Sequence, residues 1–333
     1  MRSTRPCTSH TLAARPCPAP LRRSRIVRAA GATINGVPLD DEVLGYYVED
    51  LYCSLNNEDR YPAGQLHNLS RAGKPLLVQY NLDALKGKLT RELLASRAPT
   101  LWKWRELLPV RRSENCVTLG EWATPIVELP KLGNVLVKDE GRLPTGSFKA
   151  RGLVMAVSMA KELGVTKMAM PTNGNAGAAL GAYCSHCVPA IESYAFAPED
   201  TPTTNIEEMA LQGVRVYKVN GYIDDCGAIV KNGLQEAGWF DTSTLKEPYR
   251  IEGKKTMGLE LAEQFGFDSL PSVIFYPTGG GTGLIGMWKA FRELMEIGLI
   301  DPGTKLPRMV AVQATGCAPI VNAVRNFWKF SLH

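Results

Sequence analysis

From residue 134 onward the chain alternates short apolar runs with longer stretches whose apolar residues recur every three or four positions. Leu153, Val154, Val157, Ala160 and Leu163 keep helical spacing and predict a helix over 153–163. Runs of four to six residues at 134–138, 167–170, 192–197, 214–219, 272–276 and 309–313 predict strands, the first of them a buried one. Between them, 178–187, 205–212, 225–237, 257–265 and 284–297 predict helices. Strand, polar glycine-bearing turn and helix therefore follow one another repeatedly, the order of an α/β protein with mostly parallel strands in three-layer α/β/α units. Ahead of this region the signals thin out. Residues 53–83 read as turn-rich and close on a strand at 76–80, and 100–107 predicts a helix whose Trp102 and Trp104 pack inward.

Composition narrows the class without naming a chemistry. A chain of 333 residues with 45% hydrophobic and 21% charged residues has ample length for a core. No run approaches the ~20 apolar residues of a spanning helix, so no membrane is expected. The net charge of +5 comes from seven arginines in residues 1–39, which hold no lysine and no acid. The remainder carries 31 basic against 33 acidic residues, a balance that asks for no nucleic-acid partner. Residues 1–30, rich in Arg, Ser, Thr, Ala and Pro, read as an organelle transit peptide, with a plastid favoured over a mitochondrion. Eight scattered cysteines include one Cys184-x-x-Cys187 pair and no second pair, so reduced thiols and no metal are expected.

Candidate chemistry sits in three turns that each follow a predicted strand. The first, Pro144-Thr145-Gly146-Ser147-Phe148-Lys149, puts a lysine at a helix start, where the helix dipole and neighbouring Arg151 both disfavour its ammonium form. A lone lysine at such a place is usually just solvated. The second, Pro171 to Gly177, holds Asn175 among small residues, and the third is Gly279-Gly280-Gly281-Thr282-Gly283. Glycines opening a helix form a phosphate cradle, although tight turns also use glycine for steric reasons alone. The third turn lacks the Gly-Lys-Ser/Thr ending of nucleotide-hydrolysing loops. Together the three suit pyridoxal 5'-phosphate, which needs a lysine for its aldehyde, a partner for its ring hydroxyl and N–H donors for its phosphate.

These motifs also resemble a known family, the pyridoxal-phosphate enzymes of fold type II, and within it the threonine synthases. The resemblance rests on Thr118 to Pro125, Lys138 to Gly152, Pro171 to Gly177, Ala197 to Pro202, Tyr249 to Glu260 and Pro277 to Leu284. It implies that Lys149 holds the cofactor, that Asn175 bonds its ring hydroxyl, and that Gly279, Gly280, Gly281, Thr282 and Gly283 bind its phosphate. It further implies Lys254, Lys255 and Thr256 as active-site wall or ligands of a substrate phosphate. The family reaction turns O-phospho-L-homoserine and water into L-threonine and phosphate; a serine or threonine dehydratase is the nearest rival. A homodimer is also implied by resemblance alone. The implied division is a transit peptide at 1–30, a leader region at 31–110, a large cofactor domain at 111–163 with 247–333, and a small α/β domain at 164–246. Two departures stand out. The family's four-cysteine ribbon survives only as Cys53, so no zinc is expected. From Asn326 the chain no longer resembles the family, which continues about a hundred residues to a Ser or Thr beside the pyridine nitrogen. The large domain is therefore expected to be incomplete, and a truncated, non-catalytic relative is the third reading.

Overall fold

The computed structural model describes residues 45–330, with side-chain surroundings to 326, and two short strands before them, β1 (Thr33–Ile34) and β2 (Val37–Pro38). The transit-peptide expectation over 1–30 lies outside the described residues. The leader region is a three-stranded antiparallel sheet, β3 (Val48–Cys53) between β4 (Asn56–Tyr61) and β5 (Leu76–Tyr80). The turn-rich reading of 53–83 thus missed a strand. β4 reads Asn-Asn-Glu-Asp-Arg-Tyr, and a strand exposed on most of its length has no apolar alternation to reveal it. Cys53 is buried and gives its thiol to Ser70 Oγ at 3.2 Å. No group of three or more His, Cys, Asp or Glu among the described residues could hold a metal ion.

After α1 (Arg91–Ser96), capped by Thr90 Oγ1, residues Leu101–Leu107 form 3-10 turns kinked at Trp104 rather than the expected α-helix. Trp102 and Trp104 are both buried, and one α-helical face cannot bury residues two apart. β6 (Ile126–Glu128) and β7 (Leu136–Lys138) pair antiparallel. The expected buried strand is in fact an exposed one: Leu136 and Val137 are 46% and 41% accessible. They border an apolar groove of about 790 Å³ that reaches Phe275 on the far side.

The rest is α/β. Helix α2 (Lys149–Glu162) leads to β8 (Lys167–Pro171), α3 (Asn175–His186), β9 (Glu192–Pro198), α4 (Thr203–Leu211), β10 (Arg215–Val219), α5 (Ile223–Glu236) and β11 (Phe240–Asp241). The four strands form one parallel sheet, ordered β10-β9-β8-β11. Ala178, Ala195, Ala197 and Met209 pack in one small apolar cluster, Phe196, Cys226 and Val230 in another. Cys184 and Cys187 are buried, which pushes the Cys187 thiol up to about 11 and the Cys184 thiol well above its ordinary value. Both stay protonated and unreactive.

Then come α6 (Tyr249–Gln264), β12 (Val273–Pro277), α7 (Thr282–Glu296), β13 (Arg308–Val312), parallel to β12, and α8 (Pro319–Phe330). No helix of the described residues is long and apolar enough to cross a membrane.

Helix α6 begins eight residues before the expected 257 and is buried from Tyr249 to Ala262. Lodged between α2 and α7, it has no solvated stripe, so its polar residues mask the helical period. The crossings are tight. A Cβ on Gly253 would collide with the Arg151 carbonyl, and one on Gly286 would lie 2.8 Å from Lys255 N. The backbone of α6 therefore runs in direct contact with those of α2 and α7, which sets its side chains beside the first turn of α2.

Candidate active site

Lys149 is the first residue of α2, preceded by two 3-10 turns, Glu140–Arg142 and Pro144–Gly146. Its amine lies 4.4 Å from the Phe148 ring centroid. Burial, and then the Arg250 guanidinium, push its pKa down to about 8. The cation responsible is not the expected Arg151. Residues two apart on a helix point to different sides, and Arg151 turns away to fork onto Glu140 at 2.6 and 2.7 Å. Lys149 has to lose its proton to attack a carbonyl. Its reaction with pyridoxal is therefore expected to accelerate as pH rises through about 8 and level off above. An absorbance-monitored rate profile checks this, and a midpoint near the ordinary 10.5 would contradict the geometry.

The three α6 residues separate. Lys254, 1% exposed, gives its amine to the Phe148 carbonyl and sits 4.0 Å from the same ring. Burial first, then the charge of Lys149, hold its pKa well below the usual range. Lys255 faces the other way, 2.6 Å from Glu252 and 2.8 Å from Glu293, which Lys289 also bridges at 2.7 and 2.9 Å. Thr256 gives its hydroxyl to the Gly253 carbonyl at 2.7 Å and accepts from Arg151. Only Lys254 is brought to Lys149.

Two residues that sequence reading left unassigned tie the lysine to the glycine turn. Arg250, buried, donates to the Thr242 carbonyl at 2.8 Å while its Nε has no partner. Tyr276 packs its ring 5.4 Å from Phe148, and its buried hydroxyl also lacks a partner. A Cβ on Gly283 would collide with that phenol, and one on Gly280 with Thr244, the neighbour of Arg250 Nη1 at 3.5 Å. Gly281, at φ 88°, turns the chain into α7, whose first N–H groups have no intrahelical acceptor. Thr282 opens that helix and is buried, while Gly279 and Gly280 are exposed. The position of Arg250 inside the Tyr249 to Glu260 motif was the available signal; Tyr276 offered none beyond preceding the turn.

Asn175 opens α3 and is exposed, its side chain making no hydrogen bond to another described residue. Thr172 Oγ1 fixes its turn by accepting from Gly174 N at 3.0 Å and Gly177 N at 3.1 Å. Helix α3 packs on α2 and on the Pro144–Gly146 turn, so the asparagine stands on an element beside the lysine turn.

The group that suits these residues has an aldehyde and a phosphate. An amine of lowered basicity meets the first requirement. For the second, among the described residues no carboxylate is ion-paired with Lys149 or Lys254, while Arg250 feels the buried Glu247 and Asp241 carboxylates. Two amines without a carboxylate partner and a guanidinium beside a glycine turn, with two buried polar atoms lacking partners, fit a phosphate, whose charge would favour their protonated forms.

Comparison with known proteins points the same way. A family model described as "Pyridoxal-phosphate dependent enzyme" matches residues 117–329, continuing past Asn326, where the sequence resemblance had stopped. The threonine synthase of Methanosarcina acetivorans is 32% identical over 268 residues, which is 78% of this chain and 64% of that protein. That of Methanocaldococcus jannaschii is 31% identical over 273 residues, 80% and 66% of the two chains. The chain thus spans about two thirds of the length of these relatives. In fold it is similar to maize serine racemase, with a TM-score of 0.52 at 20% identity over 61% of this chain and 60% of that one. The processed form of threonine deaminase isoform 2 from Solanum lycopersicum gives 0.52 at 20%, over 64% and 56%. With its lysine, glycine turn and parallel sheet all inside or bordering the matched span, the chain belongs to the family of pyridoxal-phosphate-dependent enzymes and has its fold type II architecture.

Proposed function

We propose that the protein is a threonine synthase, a carbon–oxygen lyase that turns O-phospho-L-homoserine and water into L-threonine and phosphate. Bound pyridoxal phosphate supplies the electron sink that makes a Cα proton removable. The chain's own residues do the rest. Lys149 holds the cofactor and, when free, moves protons at Cα and Cβ; its lowered pKa suits an amine that gives and takes a proton near neutrality. Asn175 orients the ring hydroxyl. The N–H groups of the Gly279, Gly280, Gly281, Thr282 and Gly283 turn hold one phosphate. Lys254 and Arg250 supply positive charge for anionic oxygen, whereas Lys255 is neutralised by Glu252 and Glu293 and Thr256 by its bonds within the fold.

The observation that carries this reading is the second amine, Lys254, set beside Lys149 with no carboxylate partner among the described residues. A reaction with phosphate on both cofactor and substrate needs more cation than one with threonine alone. Relatives named threonine synthase, at 31–32% identity, support the same choice. By composition alone, residues 1–30 support a plastid location.

The test is to supply phosphohomoserine and threonine separately to the chain loaded with pyridoxal phosphate. Phosphate and threonine are expected from the first and no 2-oxobutyrate from the second. Oxobutyrate from threonine without phosphate release would make it a dehydratase. No product from either would place it among non-catalytic relatives.

A further inference from the structure

Arg151 is 1% exposed and holds two carboxylates at once. Its Nε and Nη2 fork onto Glu140 at 2.6 and 2.7 Å, and Nη2 also meets Glu260 at 2.9 Å. Thr124 and Thr256 hydroxyls fill its remaining directions, each at 3.2 Å. Glu260 has a second cation, Lys138 at 2.6 Å; Glu140 accepts from Thr124 Oγ1 at 2.7 Å and has Arg151 as its only ion-pair partner among the described residues. Yet Glu140 lies close enough to the site for its charge to act on Lys254 and Tyr276.

We propose that Arg151 is a positioning residue that withholds Glu140 from Lys254, keeping the Lys149 and Lys254 amines free of a protein carboxylate and open to a phosphate. This deepens the reading of the site given above and rests on it. The charged groups involved come from every packed element: Lys149 and Arg151 on α2, Glu140 on a preceding 3-10 turn, Arg250 and Lys254 on α6, Tyr276 on β12, and Asp241 and Glu247 ahead of α6, whose carboxylates act on Arg250. Burial, then Lys149, disfavour the Lys254 ammonium; Glu140 works against both, and Arg250 and Arg151 oppose Glu140. Remove Arg151 and Glu140 becomes the internal counter-ion of the site. The space meant for a ligand anion is then already neutralised.

The experiment uses the full chain without cofactor. Inorganic phosphate binding is measured by calorimetry, and the pH midpoint of Lys149 labelling by pyridoxal with reductive trapping and peptide mapping. A unit charge acting over about 10 Å through an effective dielectric near 20 changes an equilibrium by roughly tenfold. Arg151→Met is therefore expected to weaken phosphate about tenfold and to raise the Lys149 midpoint by about one pH unit. The double variant Arg151→Met with Glu140→Gln is expected to recover both values, even where its melting temperature stays low. A merely structural arginine would show no such rescue. Repeating the binding with pyridoxal phosphate against pyridoxal, and with phosphohomoserine against homoserine, tells which phosphate the cluster takes; a loss confined to either phosphorylated partner supports the proposal. Parent-like affinity and midpoint in Arg151→Met overturn it. So does a folded double variant that fails to recover them, which also decides the matter if the single variant does not fold. A parent chain that binds neither phosphate nor pyridoxal phosphate overturns the reading of the site itself, and the proposal with it.

Discussion

Lys149→Ala is expected to lose the visible absorption that pyridoxal phosphate acquires on the parent chain, and to lower turnover by ~10²–10⁴-fold or more. The neighbouring amine cannot stand in. Lys254 is buried to 1%, held by the Phe148 carbonyl, and reaches the site from the middle of a helix packed on both sides. The same substitution is expected to stabilise the empty chain at pH 7. Lys149 has a folded pKa of about 8 against an ordinary 10.5, so the fold disfavours its proton. The burden is full below about 8 and disappears as pH rises toward the unfolded value, a difference of roughly 1–3 kcal/mol. Thermal melts of the two empty proteins at pH 7 and pH 10 measure it: the gain should be present at the first and small at the second. A variant that melts lower at pH 7, or that keeps its band, would contradict both parts of the argument.

Lys254 and Lys255 are adjacent in sequence and are expected to behave oppositely. Lys255→Met leaves Glu252, 0% exposed, and Glu293 with one cation, Lys289, between them. Breaking a buried ion network by deleting one partner costs roughly 3–5 kcal/mol, so the melting temperature should fall sharply. Tyr80, which donates to Glu252 at 2.8 Å and stacks under the Lys255 amine at 3.9 Å, ties the loss to the leader sheet. What remains folded should bind cofactor like the parent, since this network lies on the other side of α6. Lys254→Met should do the reverse: it removes an amine with no carboxylate partner, so stability holds or rises while phosphate affinity falls. Urea unfolding and phosphate titration of both variants give the comparison; a stable Lys255→Met would mean the network carries little of the fold.

Much of the architecture was legible because hydrophobic burial imposes a period. Helix α2 and the strands β8, β9 and β10 of the four-stranded sheet announced themselves through apolar spacing and the turns between them, whereas the two-residue β11 did not. Elements without such an asymmetry stayed hidden. β4 is charged along an exposed strand, and α6 is buried all round, its polar residues satisfied by one another rather than by water. The site divides in the same way. Lys149 and the Gly279 to Gly283 turn could be found because a helix start and a glycine run are local features. The partner of Lys149 could not. Arg151, two residues away, is claimed by Glu140 and Glu260, and the guanidinium that acts on the amine is Arg250, a hundred residues on.

The sequence by itself determined most of the order of strands and helices, the lysine at the mouth of α2 and the glycine turn at the mouth of α7, because local spacing and backbone preference decide these. Which charges face that lysine was decided only in three dimensions. Packing α6 between α2 and α7 set one of two neighbouring lysines beside Lys149 without a counter-ion and locked the other between two carboxylates, since in a buried helix the direction of a side chain determines its partner.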